Sequence, residues 1–552
     1  RIYRLLSTAT DMSSTSAELK ASISDWATEY HFSVLRQNLL RHLPLKREHE
    51  ILEIGPGCGA ITRFLGETGA RVVAVEGSLV RARCARLRCK ELANVSIYCS
   101  NLRDFHIESR FDVVTLVGVL EYAPLYIGGD NPMLGCLKLA LKYLKPDGVL
   151  VVAIENQLGL KYFCGYPEDH LSQPYVGVQD LYHSRTVRTV GRAELNLLLK
   201  RAGFRIIEFQ YPFPDYKLPS MVFMERAFET AHFRPEEIIQ QMRSRDYTGA
   251  SRDVLAEHLI WPVVGRNGLV RDLSNSFLAI ASLCEDNALA HDGQLLAVCY
   301  TNDRVAAYNT VKRFSVDVQG EIWVTRTPAV SGSTLRESLT HLSAPEQYIE
   351  GRHLGAELEK RIAIDDWPGF SEYFKRWIAF LLEQGALGAM ATNVMETELA
   401  PEYVDCIPKN IIVCGSDLRY IDLEWALNRR LLAGTVILRY LVTLLSEDKV
   451  AKFLTFNLDN RSQRQVTFRV LEDFAIEITE AVVQNYVDVI NTINAVVFPE
   501  KPLIGPQEVW ALFPLPTTMR DASWHKRAYR SLRIRIGRST YHIAKAVQAW
   551  LT

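Results

Sequence analysis

Residues 51–62 read ILEIGPGCGAIT: an apolar run broken by Glu53, then glycine at 55, 57 and 59. Glycine at every second position makes a poor strand, because each one removes a packing side chain and adds backbone freedom. The run therefore predicts a strand over 50–54, a glycine turn, and a helix from 60. Such a turn lets a ligand lie against bare backbone, although glycine turns also close strand–helix junctions for packing alone.

Outward from this stretch the period keeps switching between two and 3.6 residues. Strands are predicted at 71–76, 95–99, 111–118 and 148–154, with helices at 60–68, 78–92 and 132–144 between them. Alternation of this kind predicts a parallel, doubly wound α/β sheet covered on both faces. Helix 192–201, strand 204–211 and a short strand 219–224 follow, the last two as an antiparallel hairpin. Before the sheet, Leu19, Ile23, Trp26, Tyr30, Val34, Leu35 and Leu39 recur at helical spacing and predict one helix over 17–44.

In a doubly wound sheet, ligands bind beyond the carboxyl ends of the strands where strand order reverses. Three residues besides the glycines point there. Glu53 precedes the turn, Glu76 ends the second strand about twenty residues on, and Asn101 follows the third. An acid at the position of Glu76 can hold both hydroxyls of a ribose. An acid before the turn repels a pyrophosphate but suits a cationic ligand with an amino-acid tail. With GVLEY (118–122) and LKPDGVLVVAIEN (144–156), the region 17–225 resembles the class I S-adenosylmethionine-dependent methyltransferases. That resemblance implies that Glu53, Gly55, Gly57 and Gly59 line the methionine and ribose side. It places Glu76 on the ribose, and Asn101, Leu102 and Gly118 around the rest of the cofactor. Asn101 stands where the family often has Asp.

The acceptor side is expected in two loops rich in polar groups, AIENQLGLKYFCGYPEDH (153–170) and YPFPDYKLP (211–219). They supply Lys161, Tyr162, Asp169, Asp215 and Lys217 as acceptor-binding candidates, with Tyr30 from the N-terminal segment. Glu155 and His170 are candidate catalytic groups; His31 is a rival base, since imidazole titrates near neutrality. A surface histidine held by neighbouring acids would read the same way. The loops also resemble methyltransferases encoded with bacterial surface-polysaccharide assembly, which implies a sugar-containing acceptor.

The second half changes character. Residues 276–330 are strand-rich and 365–470 largely helical, interrupted at 403–425 by YVDCIPKNIIV and YIDLEW. Asp405, Asn410 and Asp422 have the spacing of a kinase catalytic loop followed by its metal-binding Asp, and Lys312 stands in a preceding strand. The departures are the missing His-Arg pair, DLE in place of DFG, and no glycine-rich loop in 276–300. The order nonetheless resembles a two-lobed α+β protein-kinase-like domain. It implies ATP at Lys312, Mg²⁺ at Asn410 and Asp422, and Asp405 as the catalytic group. A methyltransferase followed by such a domain resembles the bifunctional enzymes that terminate O-antigen polysaccharides. Alternatives are a small-metabolite O-methyltransferase with a degenerate kinase-like domain, or a nucleotide-binding scaffold of glycan assembly without turnover.

The expected domains are therefore an N-terminal helical segment (1–45), a methyltransferase domain (46–265) and a kinase-like domain (266–470, small β lobe about 276–330). A helical extension (471–515) and a basic tail follow. The tail, 516–552, carries eight Lys/Arg and one Asp among interleaved aromatics, and suits an anionic lipid surface. The formal net charge of −1 gives no reason to expect a nucleic-acid partner. The ten cysteines, with no C-x-x-C pair, read as free thiols of a reducing cytoplasm. No run of eighteen apolar residues predicts a membrane span, so the expected place is cytoplasmic, at most peripheral at the inner face of the membrane. There a polysaccharide or glycolipid acceptor and a glycosyltransferase or export partner are expected. The chain opens on Arg1 rather than Met, which leaves its native start open.

Overall fold

The computed structural model describes residues 1–183, 186–249, 254–287, 289, 293–330, 338–446, 463–474 and 476–513. The basic tail expected over 516–552 lies outside the described residues. Two units are distinguished. The first comprises Arg1–Asn302, Val311–Thr325 and Glu346–Tyr348, and the second the rest of the chain. Among the described residues no helix is long and apolar enough to cross a membrane.

The first unit is organised by one sheet. Its strands are β1 (Glu50–Ile54), β2 (Arg71–Glu76), β3 (Val95–Cys99), β4 (Phe111–Val117), β5 (Leu144–Glu155), β6 (Ile206–Phe213) and β7 (Met221–Met224). They continue as β8 (Ser276–Ser282), β9 (Leu295–Tyr300), β10 (Thr310–Val316), β11 (Ile322–Pro328) and a two-residue strand Glu346–Gln347. From one edge the order is β3-β2-β1-β4-β5-β8-β6-β7-β9-β10-β11 and then Glu346–Gln347. β1 pairs in parallel with β2 and β4, and β4 with β5. Strand order thus reverses between β1 and β4, the place where the glycine turn emerges.

The sequence shows why this sheet is buried on both faces. Val113–Leu116 and Val149–Ile154 are continuous β-branched and aliphatic runs, and almost all of these side chains are fully buried. Helices Ala60–Glu67, Leu79–Arg88, Pro132–Leu141 and Arg192–Ala202 connect or flank the strands. One core cluster gathers Leu52, Val114, Leu150, Leu137 and Leu199, while another face packs Ile51, Val72, Val113, Val149 and Leu278.

Two expectations are corrected. The helix predicted over 17–44 is three pieces, Ala17–Ala21, Trp26–Phe32 and a 3₁₀ turn Val34–Leu39. Local side-chain capping breaks it: Asp25 and Thr28 form a reciprocal box at the start of the second piece, and the Ser33 hydroxyl accepts from Leu35 N at 3.2 Å. The boundary at 265 also fails. FLAIAS, expected in a separate β lobe, is β8, antiparallel to both β5 and β6 in the middle of the large sheet. All seven β8 residues are buried. A continuous small-apolar run is the mark of a central strand, not of the edge of a small lobe. β9 and β10 continue the same sheet by antiparallel pairing.

The second unit is mainly helical. Helix Trp367–Gly385 starts at Asp366, whose carboxylate accepts from Gly369 N at 3.0 Å, with Pro368 in its first turn. Phe370, Phe374, Trp377 and Leu381, at spacings of four, three and four, are fully buried. Trp377 Nε1 donates to Cys406 O at 2.9 Å and so pins the segment carrying Asp405 to this helix. Two 3₁₀ turns, Pro401–Asp405 and Pro408–Asn410, lead into a hairpin of Ile411–Cys414 and Asp417–Tyr420. Helices Ala433–Ser446, Gln463–Asp473, Glu480–Val497 and Pro506–Leu512 follow.

Candidate active site

At the carboxyl ends of β1, β2 and β4 lies a cavity of about 540 Å³. Its floor is the glycine turn. Gly55 (φ +75°) has no room for a side chain, since a Cβ there would lie 2.5 Å from Val119 Cγ2. Gly57 (φ +57°) faces open space, its nearest neighbour being His31 Cε1 at 3.6 Å from a built Cβ. Gly57 N donates to Glu76 Oε2 at 3.0 Å, and Ser78 N to Glu76 Oε1 at 2.8 Å. The carboxylate that ends β2 is thereby fixed at the rim with Arg81 3.3 Å away. Glu53 is 3 % exposed, and its Oε2 has no hydrogen-bond partner. Burial pushes its carboxyl up to about 7.

Glu53, Gly55, Gly57, Glu76, Asn101, Leu102 and Gly118 all line this cavity, as do Tyr30 and His31. Gly59 does not. It caps helix Ala60–Glu67, and a Cβ there would lie 2.8 Å from Ala85 Cα, so its role is close packing of two helices. His31 is corrected as a base. Burial first, then the charges of Arg36, Arg88 and Arg81, push its imidazole down to about 3. It stays neutral and too weak to take a proton near neutral pH.

The other end of the cavity is built from the two polar loops. Asn156 Nδ2 donates to the carbonyls of Asp272 and Ser274, each at 2.7 Å, which anchors the loop after β5. Ser276, at the start of β8, accepts from Tyr216 N at 2.8 Å, and Asn275 Oδ1 accepts from Lys161 N at 3.1 Å. The inserted strand therefore supports both loops. Asp169, His170 and Lys217 line the cavity. Lys161 and Asp215 stand behind them: Lys161 Nζ lies 2.9 Å from Asp169 Oδ2 and 3.8 Å from Asp215 Oδ2. Tyr162 is buried beneath Lys161, its ring centroid 5.0 Å from Nζ. These three hold the lining in place without facing the cavity.

His170 Nε2 lies 3.3 Å from Glu155 Oε2 and 4.0 Å from Glu121 Oε1, while Nδ1 faces the Tyr122 hydroxyl at 3.2 Å. Lys217 Nζ contacts Glu155 Oε1 and sits 2.6 Å from Asp169 Oδ2. Burial by itself would lower the imidazole, but the charge and bond of Glu155 and the charge of Glu121 outweigh it and raise His170 to about 9. Burial likewise opposes ionisation of Glu155, yet Lys217 and His170 hold it well below the usual carboxylate range. Burial and the charge of Glu155 raise Glu121.

Glu121, Tyr122, Trp26 and Tyr247 are lining residues not singled out from the sequence. Glu121 and Tyr122 close the GVLEY stretch at the carboxyl end of β4, a position that alone marks them. Trp26 and Tyr247 come from distant segments, their rings 4.0 Å apart, and no local pattern joins them.

In the second unit Ile421 N donates to Asn410 O at 2.9 Å, so Asn410 and Asp422 are brought to adjoining positions. Asn410 Nδ2 donates to Asp405 O at 2.9 Å. Both acids are held by arginines: Arg439 Nη2 lies 2.7 Å from Asp405 Oδ1, and Arg326 Nη2 2.6 Å from Asp422 Oδ1. Lys312 is not in this unit; it lies on β10 of the large sheet and pairs with Cys299 of β9. The expectation of a small β lobe supplying that lysine fails, because β10 continues the sheet begun by β1.

Glu424, two residues after Asp422, takes a bidentate pair from Arg304 at 2.6 and 2.9 Å and faces His341 at 3.3 Å. Burial would raise this carboxyl, but the His341 bond and Arg304 lower it to about 2. Its pKa is depressed on folding, so its stabilisation is complete above about 4.5 and lost as pH falls towards 2. Glu424→Gln leaves the buried Arg304 charge uncompensated and is expected to cost about 3 kcal/mol at pH 7. Urea unfolding at pH 7 and pH 3 checks this, the difference from the parent shrinking at the lower pH.

Residues 27–209 match the family described as a methyltransferase domain. The chain is 31% identical over 117 residues to the demethylmenaquinone methyltransferase of Tropheryma whipplei (strain Twist), 21% of this chain and 46% of the relative. It is 29% identical over 108 residues to the ubiquinone biosynthesis O-methyltransferase of Bradyrhizobium diazoefficiens, 19% of this chain and 40% of that one. The chain thus spans less than half the length of these relatives. A solved complex of the Haloferax volcanii Trm112 methyltransferase activator with a putative methyltransferase is similar at 15% identity and a TM-score of 0.30, over 51% of this chain and 97% of that one.

Proposed function

We propose that this methyltransferase domain uses S-adenosylmethionine to methylate an oxygen of its acceptor. The observation that carries the reading is the cavity itself: a bare glycine floor between two buried carboxylates, with a polar imidazole–carboxylate end opposite. The cofactor fits these residues. Glu53, with its orphaned Oε2, would meet the ammonium, Glu76 the ribose, and Asn101 with Leu102 the adenine end. When bound, S-adenosylmethionine supplies an electrophilic methyl that passes to the acceptor oxygen as the sulfonium becomes a neutral thioether. The chain's own part is to orient the acceptor and take its hydroxyl proton. Neutral His170 receives that proton at Nε2, with Glu155 stabilising the imidazolium and Tyr122 orienting the ring. Calorimetry with S-adenosylmethionine tests the first step: micromolar, one-to-one binding is expected, and none at millimolar ligand would end the proposal.

The acceptor class proposed is a sugar hydroxyl or sugar phosphate at the end of a bacterial surface polysaccharide. What supports it is the aromatic part of the lining, Trp26, Tyr30 and Tyr247, side chains of the kind that pack against sugar rings. A second reading is a small-metabolite hydroxyl, favoured by the quinone-biosynthesis relatives. For the second unit, the adjoining Asn410 and Asp422 support a Mg²⁺–ATP site that phosphorylates the same glycan end. Asp422→Ala is expected to abolish ATP binding in the presence of Mg²⁺, read by calorimetry; ATP binding unchanged in that variant would refute the assignment.

A further inference from the structure

We infer that Glu121, Glu155 and His170 form a site for one divalent transition-metal ion at the acceptor end of the cavity. Only the catalytic consequence rests on the methyltransferase reading; the ion site follows from the side chains. One ligand atom from each residue lies within 4.8 Å of the other two. Ions of this class bind carboxylate oxygen and imidazole nitrogen at about 2.0–2.2 Å, so small side-chain movements bring the three onto one centre.

Two further observations point to a ligand there. Glu121 Oε2 has no hydrogen-bond partner although the residue is 0% exposed. A carboxylate oxygen left without a partner in such a place is unfavourable unless a proton or a cation meets it. The imidazole is also set as a ligand. Nδ1 faces the Tyr122 hydroxyl at 3.2 Å and Nε2 is directed at the two carboxylates, where it would serve as the ligand nitrogen once its proton has left. An outward hydrogen bond from the second ring nitrogen is the usual device for fixing a metal-binding histidine.

Charge is compatible with such an ion. Among the described residues Lys161 pairs with Asp169 and Asp215, and Lys217 with Glu155 and Asp169. Glu168 nearby is held by the backbone N–H groups of His170 and Leu171 at 2.8 and 2.6 Å. An ion bound here would displace the protons that Glu121 and His170 hold, so binding exchanges two protons for one divalent charge. Two carboxylates and one imidazole suit ions from Mn²⁺ to Zn²⁺ better than Mg²⁺ or a soft monovalent ion. An ion here would face an acceptor oxygen and favour its ionised form, so that proton removal no longer depends on His170. It would also favour acceptors presenting two neighbouring oxygens, as a vicinal diol does.

The test uses the full chain, stripped with a chelator and titrated with Mn²⁺ and separately with Zn²⁺. S-adenosylmethionine binding is measured on the same samples. One equivalent of metal is expected in the parent protein. Glu121→Gln and His170→Gln are each expected to weaken it at least about tenfold while cofactor affinity stays within about threefold. Metal binding that persists undiminished in the Glu121→Gln/His170→Gln double variant would overturn the inference. So would a parent protein that binds S-adenosylmethionine but neither ion, an outcome that leaves the methyltransferase reading standing. A parent protein that binds the ion and not the cofactor would instead uphold the ion site and refute the methyltransferase reading.

Discussion

Gly57→Val is expected to weaken S-adenosylmethionine binding at least about 100-fold while the chain stays folded. The backbone at 57 has φ +57°, a region in which a side chain costs about 1–2 kcal/mol. That strain is present with or without cofactor, so it appears as lower stability rather than lower affinity. The affinity loss has a separate cause. A Cβ at 57 meets only His31 Cε1, at 3.6 Å, so the two γ carbons of valine have to be accommodated beside the cavity that the glycine leaves open. The amide that holds Glu76 Oε2 at 3.0 Å is also displaced if the turn shifts to accommodate them. A loss of at least about 100-fold in affinity, or about 2.7 kcal/mol, is expected. Calorimetry reads it directly, and thermal unfolding confirms that the variant folds. Unchanged affinity in a folded Gly57→Val would show that the cofactor lies elsewhere.

His170→Ala is expected to lower kcat/KM by about 10²–10⁴-fold, the usual worth of a positioned general base. Its signature in the parent protein is the pH profile, measured with chelator present. His170 is raised from 6.5 to about 9 by the carboxylates around Nε2, and a base must be neutral to act. Activity should therefore climb with pH and level off above about 9, instead of above 6.5. Stability has the opposite slope. The raised imidazole stabilises the fold fully below about 6.5, and this contribution is lost as pH rises through about 9. Glu155→Gln removes the strongest of those charges and should move the activity midpoint downward. A midpoint near 6.5 in the parent protein would show that His170 does not face these carboxylates in solution.

Much of the first unit is readable from sequence because its signals are local. The strands at 71–76 and 95–99 and the helix from 60 follow from runs of β-branched residues and from the glycine turn. Glu53, Glu76 and Asn101 reach the cavity because they sit at strand ends, where topology places ligands. What the sequence hides depends on distant pairing. FLAIAS has the composition of a strand in either half of the chain, and nothing within it says that β5 and β6 are its partners. Gly59 shares the glycine signal of its neighbours, yet its lost Cβ makes room for Ala85 rather than for a ligand. Lys312 sits in a convincing strand, but a strand's sequence does not say which sheet owns it. Glu121 reads as part of a fold signature; its importance appears only when His170 is folded back beside it.

β8 also constrains how the protein can be made. β5 and β6 are complete once residue 213 has been synthesised, yet their shared neighbour ends only at Ser282. During those sixty-nine residues of synthesis the nascent sheet has a gap in its middle, with two strand edges offering unpaired amides to any passing chain. Fragments ending at 265 would keep that gap permanently, so aggregation of such truncations would reflect a missing central strand rather than a missing partner domain.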